Sequence, residues 1–472
     1  MVTEGATVPR SRSRGPGLGR NYRYLLSAYS IQTLGEGVVI AALPLLASKL
    51  TSDPRLISWV PLATELPWLL LALVGGVIVD RYDRRRLMIG AQAAQTFLLV
   101  TVALVVTLGG TQIWMIYVLA FGLCVGDIIF MGSSRALIPT IVRSADLEAA
   151  NGRNVTAETL GRMFIGPALG SALFVLLVPL PLWVNAATYL VSLLLLSRIR
   201  NSAGHFRAVP TGTDRRARAG EEPSSDAATD AATDTVTDTV TGAVTDGSRT
   251  RERRGVPAEM MEGVRWLAGH RVLRVTVILA ATSNFSVFMA QSVTVLFAKD
   301  VLGVGDAGYG ILVAAMAIGG VVGGLVSRRV VGHFGTRSVV IGVSVASALS
   351  LVAIGLFGRQ PVVVVALFGI WSAGLSIWNV MAQSLSQRLI PNELMGRVGS
   401  ATRMIAFGAL PLGALAGGLV AAAYGLTAPW VAGGVVHLVV TLLTLPALLR
   451  WPAVIEAPAT SVPMMEDARE TN

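Results

Sequence analysis

Apolar runs long enough to cross a bilayer recur along nearly the whole chain, and no other feature limits its folding so tightly. A hydrocarbon core of ~30 Å is spanned by roughly 20 helical residues at ~1.5 Å rise each. Inside it every backbone N–H and C=O must find a partner within the segment, which makes helices the expected form. The runs fall at 22–47, 57–79, 87–109, 112–134, 151–178, 181–199, 275–298, 308–330, 337–357, 361–386, 397–424 and 427–449. That is six, a long interruption, and six more. The composition fits: 53% of residues are hydrophobic and 14% charged, whereas an ordinary soluble domain has about a quarter charged. The expected class is an all-α membrane protein of twelve transmembrane helices.

A formal charge of +10 raises the question of a nucleic-acid partner. The basic residues lie between spans rather than in an aromatic-interleaved patch, so none is expected. With the N-terminus in the cytoplasm, Arg and Lys should gather in the termini and in the loops on that side. About 34 of the 38 fall on that side of the membrane, leaving Lys49, Arg55, Lys299 and Arg359 for the other. Both termini are therefore expected to be cytoplasmic, and the protein to sit in the inner or plasma membrane. Arg10, Arg12, Arg14, Arg20 and Arg23 could open a signal peptide, but the run behind them is too long and lacks a small-residue cleavage pattern. The single cysteine, Cys124, has no partner for a disulfide or a cysteine-based metal site.

Between the two sets of six the chain changes character. "SSDAATDAATDTVTDTVTGAVTDGS", flanked by "RRAR" and "RTRERR", has no apolar periodicity and cannot repay the entropy of ordering. The expected organisation is a disordered N-terminus (1–21), a six-helix bundle (22–200), a disordered cytoplasmic linker (201–257), a second six-helix bundle (258–450) and a disordered C-terminus (451–472). "AEMMEGVRWLAGHRVLRV", just after the linker, has helical spacing and is expected to lie along the membrane surface.

The halves repeat one another. "LVGGVIVDRYDRRRLMIG" answers "VVGGLVSRRVVGHFGTRSVVIG", and "SRALIPTIVRSADLEAANGRNVTAETLGRMFIGPALGSALF" answers "SQRLIPNELMGRVGSATRMIAFGALPLGALAGGLV". An Arg before Leu-Ile-Pro, a Gly-Arg pair and a small-residue run recur in the same order. Two bundles with pseudo-twofold symmetry and a binding site between them near the midplane is a transporter architecture.

"GGVIVDRYDRRR", between the second and third spans, resembles the loop signature of the major facilitator superfamily, Gly-x-x-x-Asp-Arg-x-Gly-Arg-Arg. Gly76, Asp80, Arg81, Arg84 and Arg85 match in register, and Asp83 stands where that family usually has Gly. Together with "Arg-Ala-Leu-Ile-Pro" and "Gly-Pro-Ala-Leu-Gly", the chain is similar to the branch containing enterobactin exporters and macrolide efflux proteins. The resemblance implies the major facilitator fold and export of a hydrophobic or amphipathic small molecule, such as an antibiotic or siderophore, in exchange for protons. An uptake facilitator for a nutrient would use the same fold.

Several residues carry specific expectations. Asp80 with Arg81, Arg84 and Arg85, and Asp127 as their partner, would form a charged latch that holds one access state closed; positive-inside topology alone would also explain the arginines. Gly166, Pro167 and Gly170 resemble the antiporter motif of the family, although generic small-residue packing would read the same way. Charge inside a span is costly and marks function. Glu36, flanked by glycines in "QTLGEGVVIAALP", is the first candidate for proton coupling, where the exporter branch usually carries an acid, and Glu65 is the second. Arg162 precedes the Gly-Pro motif and could pair with Glu158. In the C-terminal half, Asn284, Phe288, Gln291, Trp371, Trp378, Asn379 and Gln383 would suit a weakly polar ligand in a cavity wall, although most such residues are packing contacts. His437, alone in its span, reads as a packing residue. Neither lysine follows a glycine, so a phosphate-binding loop is missing. Clustered metal ligands are missing too, so no cofactor, metal or enzymatic activity is expected. The expected partners are a small-molecule substrate, protons and the bilayer, with the protein acting as a monomer.

Overall fold

The computed structural model describes residues 18–71, 82–199, 256–391 and 394–451. Gly76, Asp80 and Arg81, most of the linker and the distal termini lie outside the described residues. The described chain is helical, with no strand. The N-terminal half contains α1 (Arg20–Leu50), α2 (Pro54–Leu71), α3 (Arg84–Thr107), α4 (Ile113–Ile141), α5 (Ser144–Leu176) and α6 (Leu180–Ser197). The C-terminal half contains α7 (Val256–Gly269), α8 (Arg271–Gln291), α9 (Asp306–Leu356), α10 (Pro361–Leu389), α11 (Met395–Tyr424) and α12 (Ala428–Leu449).

Ten of these helices are long and apolar enough to cross a membrane. The 51 residues of α9 would extend ~76 Å as one straight helix, more than twice a bilayer. They do not, because Gly335 sits at φ 76° and ψ 156° and breaks α9 into two limbs. At the equivalent place in the other half, Asp83 keeps an ordinary φ of −63° and accepts a hydrogen bond from the Arg86 N–H at 2.9 Å, capping α3. Thus one half makes the turn with glycine's conformational freedom and the other with an N-cap carboxylate. Counting both limbs of α9 gives eleven segments of spanning length. The short α2, which runs to the edge of the undescribed stretch 72–81, occupies the place of the twelfth.

The halves pack by the same plan. α1 lies on α5 and α6, and α3 on α4 and α6; correspondingly α8 lies on α11 and α12, and α9 on α10 and α12. Between halves, α2 meets α11 and α5 meets α9. The helix alternation gives the molecule a terminal face, near Arg20 and Trp451, and an opposite face, near Leu50 and Asp306. α7 packs on the start of α11, where Arg397 Nη1 lies 2.8 Å from Glu262 Oε1 and a Cβ on Gly263 would strike the Arg397 carbonyl.

Candidate functional site

The N-terminal half encloses a polar centre. Gln32 on α1 donates to Glu36 Oε1 at 2.8 Å, one helical turn away, and also approaches Asp127 Oδ1 at 3.4 Å. Gln92 on α3 donates to Gln32 Oε1 at 2.6 Å. Gln95, one turn further along α3, donates to the Leu123 carbonyl and to Asp127 Oδ1, both at 2.8 Å. Tyr189 on α6 offers its hydroxyl to the same carboxyl at 3.3 Å. The carboxyls of Glu36 and Asp127 thus share the Gln32 amide. Arg162 on α5 reaches Glu36 Oε2 at 3.4 Å, and the Glu36 side chain is only 9% exposed. Five helices, α1, α3, α4, α5 and α6, thus meet at two carboxyls and one guanidinium.

Beside this centre a cavity is lined by Tyr29, Trp68, Phe130, Met131 and Glu158 as well as Glu36, Asp127 and Arg162. Glu158 accepts from the Tyr29 hydroxyl at 2.8 Å, so Arg162 finds its carboxylate partner in Glu36 rather than in the expected Glu158. Glu65, half-buried on α2, lies within electrostatic range of Arg162. Trp68, one turn beyond it, was not anticipated; nothing but its helical spacing from Glu65 marked it.

Local backbone geometry explains how Arg162 gets there. Pro167 has no N–H and its ring opposes the carbonyl four residues earlier. The preceding stretch, Thr159–Ile165, widens into a π-turn that contains Arg162. Gly166 and Gly170 then let α5 touch α1 backbone to backbone: a Cβ on Gly166 would meet the Gly37 Cα at 2.5 Å, and one on Gly170 would strike the Val38 carbonyl. The Gly-Pro-Ala-Leu-Gly run therefore seats α5 against the helix that carries Glu36.

One expectation needs correction. Asp127 is not the partner of Arg84, whose Nη1 donates to the Ala136 carbonyl at 2.8 Å. α4 runs to Ile141, about two turns beyond its expected end at 134, which puts Asp127 at mid-helix instead of near the terminal face. Arg85 likewise binds main chain, donating to the Leu196 carbonyl at 3.3 Å and the Ser197 carbonyl at 2.7 Å. These arginines cap helix ends, where cations are favoured.

The polar residues expected in the C-terminal half do not gather into one site. Asn284 donates to the Ala406 carbonyl at 2.8 Å and so ties α8 to α11. Phe288 packs against the main apolar core, and Gln291 lies half-buried at the end of α8. Trp371 and Trp378 are buried, while Asn379 and Gln383 are exposed on α10.

A second charged cluster, not anticipated as such, joins the halves at the opposite face. Lys299 Nζ lies 2.6 Å from Asp306 Oδ1 and donates to Ser48 Oγ at 2.9 Å, while Lys49 Nζ lies 3.4 Å from Asp306 Oδ2. The only two lysines of the chain thus share one carboxylate. Their rarity was the available signal. Nearby, a Cβ on Gly418 of α11 would strike Ser58 of α2, and one on Gly310 of α9 would meet Ser171 of α5 at 2.6 Å.

Comparison with known proteins places this geometry. A model of the Major Facilitator Superfamily matches residues 25–409. The chain is 20% identical over 435 residues to an MFS-type transporter, YfiS, of Bacillus subtilis (strain 168), covering 89% of this chain and 91% of that protein. It is 24% identical over 410 residues to the multidrug efflux pump Tap of Mycolicibacterium fortuitum, covering 84% of this chain and 88% of Tap. Among solved structures, a bacterial homologue of the iron transporter ferroportin in its inward-facing state is similar in fold, with a TM-score of 0.65 and 16% identity over 91% of this chain and 99% of that one. Fold and family thus agree on a multi-pass membrane transporter, and the chain belongs to the Major Facilitator Superfamily.

Proposed function

We propose that the protein is a proton-coupled antiporter that exports a hydrophobic or amphipathic small molecule by alternating access, as a monomer in the cell membrane with both termini in the cytoplasm. The observation that carries this reading is the Glu36–Asp127–Arg162 centre. Two carboxyls share the Gln32 amide and face one guanidinium, so the centre has one carboxyl more than it has cations to balance it. Such a pair can take up and release one proton per cycle. Glu36, on the helix that packs directly against Gly166 and Gly170, is the coupling group, with Asp127 beside it on the same Gln32 amide. Glu65 and Trp68 border the cavity from α2.

Export rather than uptake is supported by the similarity to the efflux pump Tap and by the Gly-Pro-Ala-Leu-Gly run. Cytoplasmic termini follow from the arginine distribution, and the lysine cluster around Asp306 would then seal the outer face. In the access state that this seal defines, the cavity beside Glu36 would exchange with the cytoplasm. The latch assigned to Gly76, Asp80, Arg81, Arg84 and Arg85 would form at the terminal face in the alternate state.

The test is expression in an efflux-deficient host, comparing drug susceptibility and dye efflux between wild type and Glu36→Gln. Wild type should lower dye retention and lose that ability when the proton gradient is collapsed. Glu36→Gln should retain dye like the empty host. Efflux that persists without the gradient would remove the antiport reading.

A further inference from the structure

The two halves are a sequence repeat, so the residues around Asp127 have counterparts in the C-terminal half, and the counterparts also meet. Setting Arg20-x-x-Arg23 over Arg271-x-x-Arg274 places Ser283 on Gln32. Setting Ile89-Gly90 over Ile341-Gly342 places Ser344 on Gln92 and Ser347 on Gln95. Setting Tyr189-Leu-Val over His437-Leu-Val places His437 on Tyr189. Ser283, Ser344, Ser347 and His437 line one cavity, together with the Trp378 ring and three aliphatic side chains. The same position in each bundle is therefore polar, although the residues that make it so differ.

The difference is one of reach and charge. In the N-terminal half the glutamines span the gap and bond to one another and to Asp127. Serines are too short for this, and the hydroxyls of the C-terminal half face a space instead. His437 is 2% exposed, and neither Nδ1 nor Nε2 has a hydrogen-bond partner among the described residues. A neutral imidazole donates through one nitrogen and accepts through the other, and leaving both unmade in an apolar bundle is costly. No charged side chain lines this cavity. Aligning the two Leu-Ile-Pro segments sets Asn379 against Asp127 in sequence, but Asn379 is exposed on α10 and does not line the cavity, so this half has no counterpart of the buried carboxyl there.

We propose that this cavity is a second polar site, in which His437 with Ser283, Ser344 and Ser347 binds an uncharged hydroxyl group. The hydroxyl belongs either to a single water or to a cargo whose polar group enters the cavity; the cargo source alone rests on the exporter reading above. A paired donor and acceptor with flanking hydroxyls matches a hydroxyl and has nothing to balance an ion. The molecule then carries one charged and one neutral polar centre, one in each half.

Thermal unfolding of the purified full chain, free of cargo, decides the site. Replacing a dry, unpartnered imidazole by an apolar side chain removes an unmade donor and acceptor, and should leave Tm unchanged or raise it. Replacing an imidazole that holds a hydroxyl should lower Tm. The expected result is that both His437→Leu and His437→Phe lower Tm by several degrees, whereas His437→Gln restores most of the loss; Phe controls for lost volume. Leu and Phe variants as stable as wild type, or Gln no better than they are, would overturn the water source, and if they also export doxorubicin as wild type does they would overturn the proposal as a whole. Efflux of doxorubicin, which bears hydroxyls, against ethidium, which has none, separates the two sources. Selective loss of doxorubicin efflux in His437→Leu assigns the site to cargo, and equal efflux of both with a lowered Tm assigns it to water. A wild type that exports neither probe would refute the exporter reading while leaving the Tm comparison decisive.

Discussion

Lys299 Nζ lies 2.6 Å from Asp306 Oδ1, and the second oxygen of the same carboxylate faces Lys49 of the other half at 3.4 Å. Asp306 is thus the one anion holding two cations together across the junction between the bundles. Asp306→Asn should leave the ammonium groups repelling one another and weaken closure of that face. Partly exposed ion pairs contribute ~0.2–1 kcal/mol each, so the change should move the conformational equilibrium by roughly 1.4- to fivefold per pair. Spin labels at Ser52 and Ala307, in a Cys124→Ser background, would report a longer distance in the variant. High salt should lengthen the same distance in wild type.

The packing of α1 on α5 makes a second expectation. A Cβ on Gly170 would strike the Val38 carbonyl, and one on Gly37 would meet the Gly161 carbonyl at 2.5 Å. Gly170→Ala and Gly37→Ala should each destabilise the fold by ~1–3 kcal/mol, as overpacking does, and lower Tm accordingly. Gly152→Ala, on the same α5, meets nothing within 4 Å and should be neutral or stabilising by ~0.5–1 kcal/mol.

Gln95 offers a third. Its amide donates to Asp127 and to the Leu123 carbonyl, both at 2.8 Å. Gln95→Leu keeps the volume but strips Asp127 of its shortest hydrogen bond, at a cost of ~1.5–3 kcal/mol for a bond to a charged group. Tyr189→Phe removes a longer contact at 3.3 Å and should cost less. Gradient-driven efflux should fall further in Gln95→Leu than in Tyr189→Phe, with expression unchanged.

Much of the fold was legible because hydrocarbon imposes a length and a backbone-pairing rule that sequence displays directly. Glu36 was marked by its cost inside a span and Gly166–Gly170 by small-residue spacing. The pairing of Asp127 with Arg84 fails on a boundary: an α4 ending at 134 would bring the two together, whereas the helix runs on to Ile141, about two turns further; Arg81, the other expected partner, lies outside the described residues. The partnership of Arg162 with Glu36 was hidden for a different reason. A π-turn inserts an extra residue per turn, so the direction of Arg162 does not follow from α-helical counting through Thr159–Ile165. Contacts between halves, such as Lys49 with Asp306, depend on helix rotations that hydropathy does not encode.

The account stands on proton exchange at Glu36. The measurement that meets it most directly is ethidium transport by purified protein in proteoliposomes under an imposed pH gradient, with wild type and Glu36→Gln side by side. The account predicts that wild type concentrates dye against its gradient and releases protons as it does so. Glu36→Gln should carry dye only downhill and show no response to the pH gradient, a loss of at least roughly tenfold in driven transport, or about 1.4 kcal/mol. Concentration of dye by Glu36→Gln as by wild type, still driven by the pH gradient, would contradict it.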